Sequence, residues 1–141
     1  MNLLLDTHVF IWWNSDVSRL GKAAAAAIAD PANETYVSAA SVWEIAVKRQ
    51  LGRLSYAGSP LAAIERCGFL ALPILAAHAE LVGDLPPLHA DPFDRMLVAQ
   101  AQFASLTLVT SDRKVAVQVY GRVTPLDLAL GQIELVPENS N

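Results

Sequence analysis

Asn2-Leu3-Leu4-Leu5-Asp6 decides the fold. Three consecutive leucines leave no polar face, so the run fits a strand buried on both sides, as in a parallel sheet covered by helices. The acid that ends it is out of keeping with those surroundings, because a carboxylate closing a buried strand needs a partner. Ligands of open α/β sheets bind outside the carboxyl ends of the strands, which is where Asp6 falls.

The chain beyond it alternates in the same manner. Val9 to Trp13 predicts a short helix, and Ser18 is placed to cap another that runs through Leu20 and the alanines to about Ala29. Thr35-Tyr36-Val37 reads as the second strand. Ser38 caps a helix from Ala39 to Gln50, which Gly52 stops. On that helix Val42, Trp43, Ile45 and Val47 are expected to pack inward, with Lys48, Arg49 and Arg53 facing solvent and Glu44 in the middle. Then come a short helix from Leu61 to Arg66, a third strand at Phe69–Leu72, a helix at Leu75–Val82 and a rigid connection, Gly83 to Pro87. A helix from Phe93 to Ala104 leads to a fourth strand, Leu106–Thr110. A helical turn at Arg113–Val117, a fifth strand within Gly121–Thr124 and a frayed Pro137–Asn141 complete the reading. The expected fold class is α/β: one domain over residues 1–141, with a central, mostly parallel sheet of about five strands and helices on both faces.

A hydrophobic content of 53% over 141 residues and a mean hydropathy of +0.33 exclude a disordered chain. They also leave apolar surface for a partner interface. No apolar run reaches the roughly 20 residues of a membrane span, and Asp6 interrupts an N-terminus without a basic region. No membrane association and no signal peptide are expected, and the chain reads as cytoplasmic. The single Cys67 forms no internal disulfide, and no Cys/His spacing suggests zinc. A net charge of −4 argues against holding nucleic acid by bulk electrostatics. Acids that hold a metal would lower the formal charge in the same way, and the ion would then supply the positive field.

The second informative stretch is His89-Ala90-Asp91-Pro92-Phe93-Asp94-Arg95-Met96-Leu97-Val98-Ala99-Gln100-Ala101. It sets two acids and an arginine at the start of a helix. Asp6 and Asp112 fall at one edge of the predicted sheet, Asp94 begins a helix on that side, and Glu44 joins them from its own helix. Four such carboxylates persist charged together only around a cation. Oxygen-only ligands select Mg²⁺, with Mn²⁺ as the other choice. A bound ion of that kind polarises a phosphate and lowers the pKa of an attacking water, which suits phosphodiester hydrolysis by one ion or two. Asp91 either joins this site or fixes the turn ahead of Pro92.

Four pieces in this order, Leu4-Leu5-Asp6-Thr7-His8, Ser41-Val42-Trp43-Glu44-Ile45, the long stretch above and Leu108-Val109-Thr110-Ser111-Asp112, resemble the PIN-domain ribonucleases. The likeness is stronger to the VapC-type toxins of type II toxin–antitoxin modules, and it spans Leu4 to Asp112. The resemblance implies a PIN-like α/β/α sandwich and a Mg²⁺-dependent endoribonuclease with RNA as substrate. Asp6, Glu44, Asp94 and Asp112 would form the catalytic site. Asp6 and Asp94 would be direct metal ligands, with Glu44 and Asp112 further out or on a second ion. Thr7, Thr110 and Ser111 would hydrogen-bond the carboxylates or a bound water. Arg95 and Arg113 would bind phosphates or neighbouring acids. His8 reads as a partly buried residue beside the first strand and His89 as a turn residue, because water on a metal needs no histidine. The resemblance also implies a homodimer, and a cognate antitoxin whose tail crosses the active-site groove.

Other readings compete. A phosphoacceptor receiver-like domain needs an acidic pair beside the first strand and a late lysine, whereas Asp6 stands alone and the fourth strand ends Thr110-Ser111-Asp112. A non-catalytic PIN-like binding module would have lost an acid, and all four are present. A PIN-domain RNA-processing nuclease without an antitoxin would share these residues. The compact chain, with no added RNA-binding module, favours the toxin.

Overall fold

The computed structural model describes residues 1–86, 90–111 and 133–135. Strand β1 (Asn2–Leu5) is the middle of a five-stranded sheet of order β3-β2-β1-β4-β5, in which every neighbouring pair is parallel. The others are β2 (Glu34–Ser38), β3 (Leu70–Leu72), β4 (Thr107–Thr110) and β5 (Ile133–Leu135). The helices are α1 (Thr7–Ser15), α2 (Lys22–Ala29), α3 (Ala39–Gln50), α4 (Pro60–Arg66), α5 (Ala76–Val82) and α6 (Pro92–Ala104).

The leucine run behaves as its composition requires. Leu3 and Leu5 belong to one apolar core and Leu4 to the other, and all three are fully buried. Val109 and Leu108 of β4 divide between the two cores in the same way. Burying each such side chain contributes roughly 1.5–3 kcal/mol, so the central strands need an apolar layer on both faces. The first layer includes Val9 and Phe10 of α1, Ile28 of α2 and Ile64 of α4. The second includes Leu97, Val98 and Ala101 of α6, with Leu85 beyond α5. Helix α3 touches α1 and α4 as well as α6, and so ties the two layers together.

Connectivity then places a crevice. From β1 the chain steps outward through β2 to β3, and α5 and α6 carry it back to β4 on the other side of β1. The strand order reverses between β1 and β4, and their carboxyl ends border the crevice where such sheets bind ligands. Leu5 lies in register with Val37 and Val109, and the Asp6 N–H donates to the Val109 carbonyl at 3.0 Å. Asp6, Ser38 and Thr110 therefore end three adjacent strands at one level.

Several expectations need correction. The helix expected from Ser18 to Ala29 is two elements, a 3-10 turn at Val17–Leu20 and then α2. They divide at Gly21, whose φ of 77° and ψ of 163° only glycine adopts readily. Ser18 instead donates to Asp16 Oδ1. Trp43 does not pack inward and is 56% exposed, because the buried stripe of α3 is Ala40, Ser41, Glu44 and Ile45. Lys48 does not point freely into solvent but is half-buried and paired. His8 is exposed rather than partly buried. The fifth strand forms at Ile133–Leu135, while Gly121–Thr124, the Arg113–Val117 turn and Pro137–Asn141 lie outside the described residues. Other element ends shift by one or two residues from those expected.

Two backbone positions give a stability test. Ser105, exposed at the end of α6, has a left-handed φ of 54° and ψ of 44°. Ser105→Gly is expected to stabilise the fold by about 0.5–1 kcal/mol. Gly21→Ala is expected to destabilise it by about 1–3 kcal/mol. Urea denaturation of both variants beside the wild type checks the two opposite signs.

Candidate active site

Asp6 is 4% exposed and caps α1, accepting from the Val9 N–H through Oδ1 at 2.8 Å. Its other oxygen accepts from the Thr110 hydroxyl at 2.6 Å, which joins β1 to β4 across the crevice. Burial pushes its carboxyl above the ordinary value of 3.8. The Thr110 and Val9 hydrogen bonds and the nearby His8 oppose the rise, and the charge of Glu44 adds to it. Neighbouring Thr7 makes a second set of hydrogen bonds. Its hydroxyl is 2.5 Å from Glu44 Oε1 and 3.0 Å from Ser41 Oγ, with all three residues buried. A hydroxyl has one proton and a carboxylate only accepts, so Thr7 donates to Glu44 and takes its second contact from Ser41.

Glu44 is 3% exposed in the middle of α3, unlike an ordinary helix glutamate at the surface. Its Oε2 is paired with the Lys48 ammonium one turn further on. Lys48 Nζ also lies 3.9 Å from Asp91 Oδ2. Burial by itself would lower the lysine pKa. The hydrogen bond and charge of Glu44, with the charges of Asp91 and Asp94, outweigh that and hold it above 10.5. One ammonium is thus shared by acids from α3 and from the start of α6.

At that start, Asp91 is the N-cap: Oδ1 accepts from the Phe93 and Asp94 N–H groups at 2.8 and 3.2 Å. Asp94 is half-buried in the first turn, where the helix's positive end favours a carboxylate. The Arg95 guanidinium donates to the carbonyls of Val82, Leu85 and Pro86. Phe93 meets the exposed Trp43 edge-on at 4.8 Å between ring centroids. Ser111 follows β4 at the crevice edge. Asp112, Arg113 and His89 lie outside the described residues.

The PIN domain family model matches residues 3–120. The chain belongs to the PIN-domain family. It is 33% identical over 123 residues to Ribonuclease VapC22 of Mycobacterium tuberculosis, covering 79% of this chain and 88% of that one. The likeness extends to the VapC-type ribonuclease toxins of this family. Its fold is similar to a chain in the crystal structure of VapBC2 from Rickettsia felis bound to a promoter DNA fragment. There the TM-score is 0.61 at 13% identity, covering 97% of this chain and 100% of that chain. A toxin–antitoxin complex from Klebsiella pneumoniae gives 0.56 at 22% identity, covering 87% and 97%.

In this PIN-domain chain the acids' chemistry fits a hard divalent ion, since every donor is oxygen. A half-buried ammonium already stands among Glu44, Asp91 and Asp94, so the cluster accommodates positive charge. Among the described residues, no three Asp, Glu, His or Cys side chains make an ion-holding group by themselves. Reading the sequence missed two members of the network, Ser41 and Lys48. The signal for both was helical spacing, since residues three before and four after Glu44 share its face.

The Asp6 shift has a testable sign. Its folded pKa lies above 3.8, so ionised Asp6 opposes folding, a penalty absent below 3.8 that grows as pH rises through the folded value. An asparagine in its place can still cap α1 and meet the Thr110 hydroxyl. In EDTA, Asp6→Asn is expected to melt above the wild type at pH 7, with the gap closing as pH falls toward 4. A gap independent of pH, measured by thermal melts across that range, contradicts this.

Proposed function

We propose that the chain is a Mg²⁺-dependent endoribonuclease toxin that hydrolyses RNA phosphodiester bonds and is neutralised by a cognate antitoxin. What supports this reading, in a chain of the PIN family, is Asp6 following β1 at the reversal crevice, Thr7 beside it donating to Glu44 of α3, and Lys48 linking Glu44 to Asp91 at the start of α6. The likeness to Ribonuclease VapC22 of Mycobacterium tuberculosis supports RNA as substrate, and the likeness to chains of VapBC2 and of the Klebsiella pneumoniae toxin–antitoxin complex supports an antitoxin.

Asp6 and Asp94 would hold the ion, Mg²⁺ or Mn²⁺, with Glu44 and Asp112 completing the four-carboxylate site. The ion, when bound, supplies Lewis acidity toward the phosphate and acidifies an attacking water. The chain's own part is aim. Thr110 and Val9 fix both oxygens of Asp6, and Thr7 fixes one oxygen of Glu44. Preset orientation of this kind lowers the reorganisation needed during reaction. Asp91 acts as the cap that orients the first turn of α6. Thr110 and Thr7 are supporting residues, and Ser111 is placed to join them. Arg113 and Arg95 are the proposed phosphate contacts, although Arg95 must first leave its three carbonyls.

A homodimer is part of the proposal, supported by exposed Leu51, Leu61, Leu70 and Phe103. We place the protein in the cytoplasm. Among the described residues no helix is long and apolar enough to cross a membrane.

The test is cleavage of RNA by the purified chain with Mg²⁺, with EDTA, and with Asp6→Asn and Asp94→Asn. EDTA should abolish cleavage, and each substitution should reduce it by about 100-fold or more while the fold persists in a thermal melt. Cleavage that survives EDTA, or that both variants retain, sinks the metal-nuclease reading.

A further inference from the structure

Both oxygens of the Glu44 carboxylate already have a partner, Oε1 the Thr7 hydroxyl and Oε2 the Lys48 ammonium. The two differ in how readily they can leave. Thr7 is 2% exposed and fixed in the first turn of α1. The Lys48 side chain is 29% exposed, on a flexible four-carbon stem in the last turn of α3. Its ammonium is also 3.9 Å from Asp91 Oδ2 and within the field of Asp94. A divalent ion brought to these carboxylates would meet that ammonium as a like charge at short range.

We propose that Lys48 is the resident counter-ion of the acid cluster, and that a divalent cation displaces its ammonium from Glu44 on binding. This rests on the metal-site reading above. Lys48 is then a positioning residue. It joins α3 to the start of α6 in the metal-free protein and sets the metal concentration at which the site loads. The ammonium has somewhere to go. It lies 5.9 Å from the centroid of the Phe93 ring, which packs against exposed Trp43, so an outward swing can keep a cation–π contact.

The test is calorimetric titration of Mn²⁺ into the purified full chain without RNA. The wild type is compared with Lys48→Gln, Lys48→Met and Lys48→Arg. The two neutral variants are expected to bind Mn²⁺ more tightly, by about fivefold, the upper scale of a partly exposed ion pair. Lys48→Arg keeps the charge and is expected to bind like the wild type. Damage to the fold weakens metal binding, so tighter binding is a result that a merely structural lysine does not give. Equal or weaker binding by both neutral variants overturns the proposal and leaves the metal site standing. If even the wild type takes up no Mn²⁺, the metal-site reading itself fails and the role of Lys48 falls with it.

Discussion

The hydrogen bond from the Thr110 hydroxyl to Asp6 Oδ2 is the contact on which the rest of the site depends. It closes the end of the β1–β4 pair, where the sheet changes direction and a crevice has to open. Through its other oxygen the same carboxylate caps α1, so one side chain sets both the strand junction and the helix start. Hydrogen bonds to an ionised group are worth about 1.5–3 kcal/mol each, the scale needed to offset part of the penalty of burying it. The penalty is not cancelled, since Asp6 still binds its proton more tightly than an ordinary aspartate.

Beside Asp6 in the chain, Thr7 starts a polar path to Glu44, then to Lys48, and on to the start of α6. Each step places a short hydroxyl or a charge where the surrounding fold is apolar. Leu5, Val37 and Val109 sit one residue below Asp6, Ser38 and Thr110, all three in the core. A single residue along each strand thus separates the most apolar level of the sheet from its most polar one. Such an abrupt boundary is stable only where the polar side is internally paired, and here hydroxyls and one ammonium provide the pairing.

The fold was legible because its signals are local and strong. An all-apolar run at β1, serine and glycine punctuation, and alternation with helices fixed the class and nearly all the element order. What escaped depended on tertiary placement. Trp43 looked inward by helical spacing, yet the inward stripe of α3 is given to Ser41, Glu44 and Ile45, and the tryptophan is exposed. Lys48 looked like a surface helix residue, since a sequence does not show which side of α3 faces α1 and α6. The helix expected from Ser18 to Ala29 breaks at Gly21, whose backbone conformation the sequence does not display. The convergence of Asp6, Glu44, Asp94 and Asp112 was expected from strand ends and motif order. The part of Lys48, which pairs with Glu44 and lies near Asp91, was not.

The segment Asp91-Pro92-Phe93-Asp94-Arg95 shows why a motif should not be read as a list of reacting groups. Asp91 caps α6, Pro92 occupies the first turn where a missing N–H does no harm, and Arg95 binds the carbonyl that ends α5 and those of Leu85 and Pro86. These three build a joint between two helices of the second layer. Phe93 carries the joint outward to Trp43 on α3. Asp94 takes its position from all of them, since the orientation of α6's first turn decides where that carboxylate points.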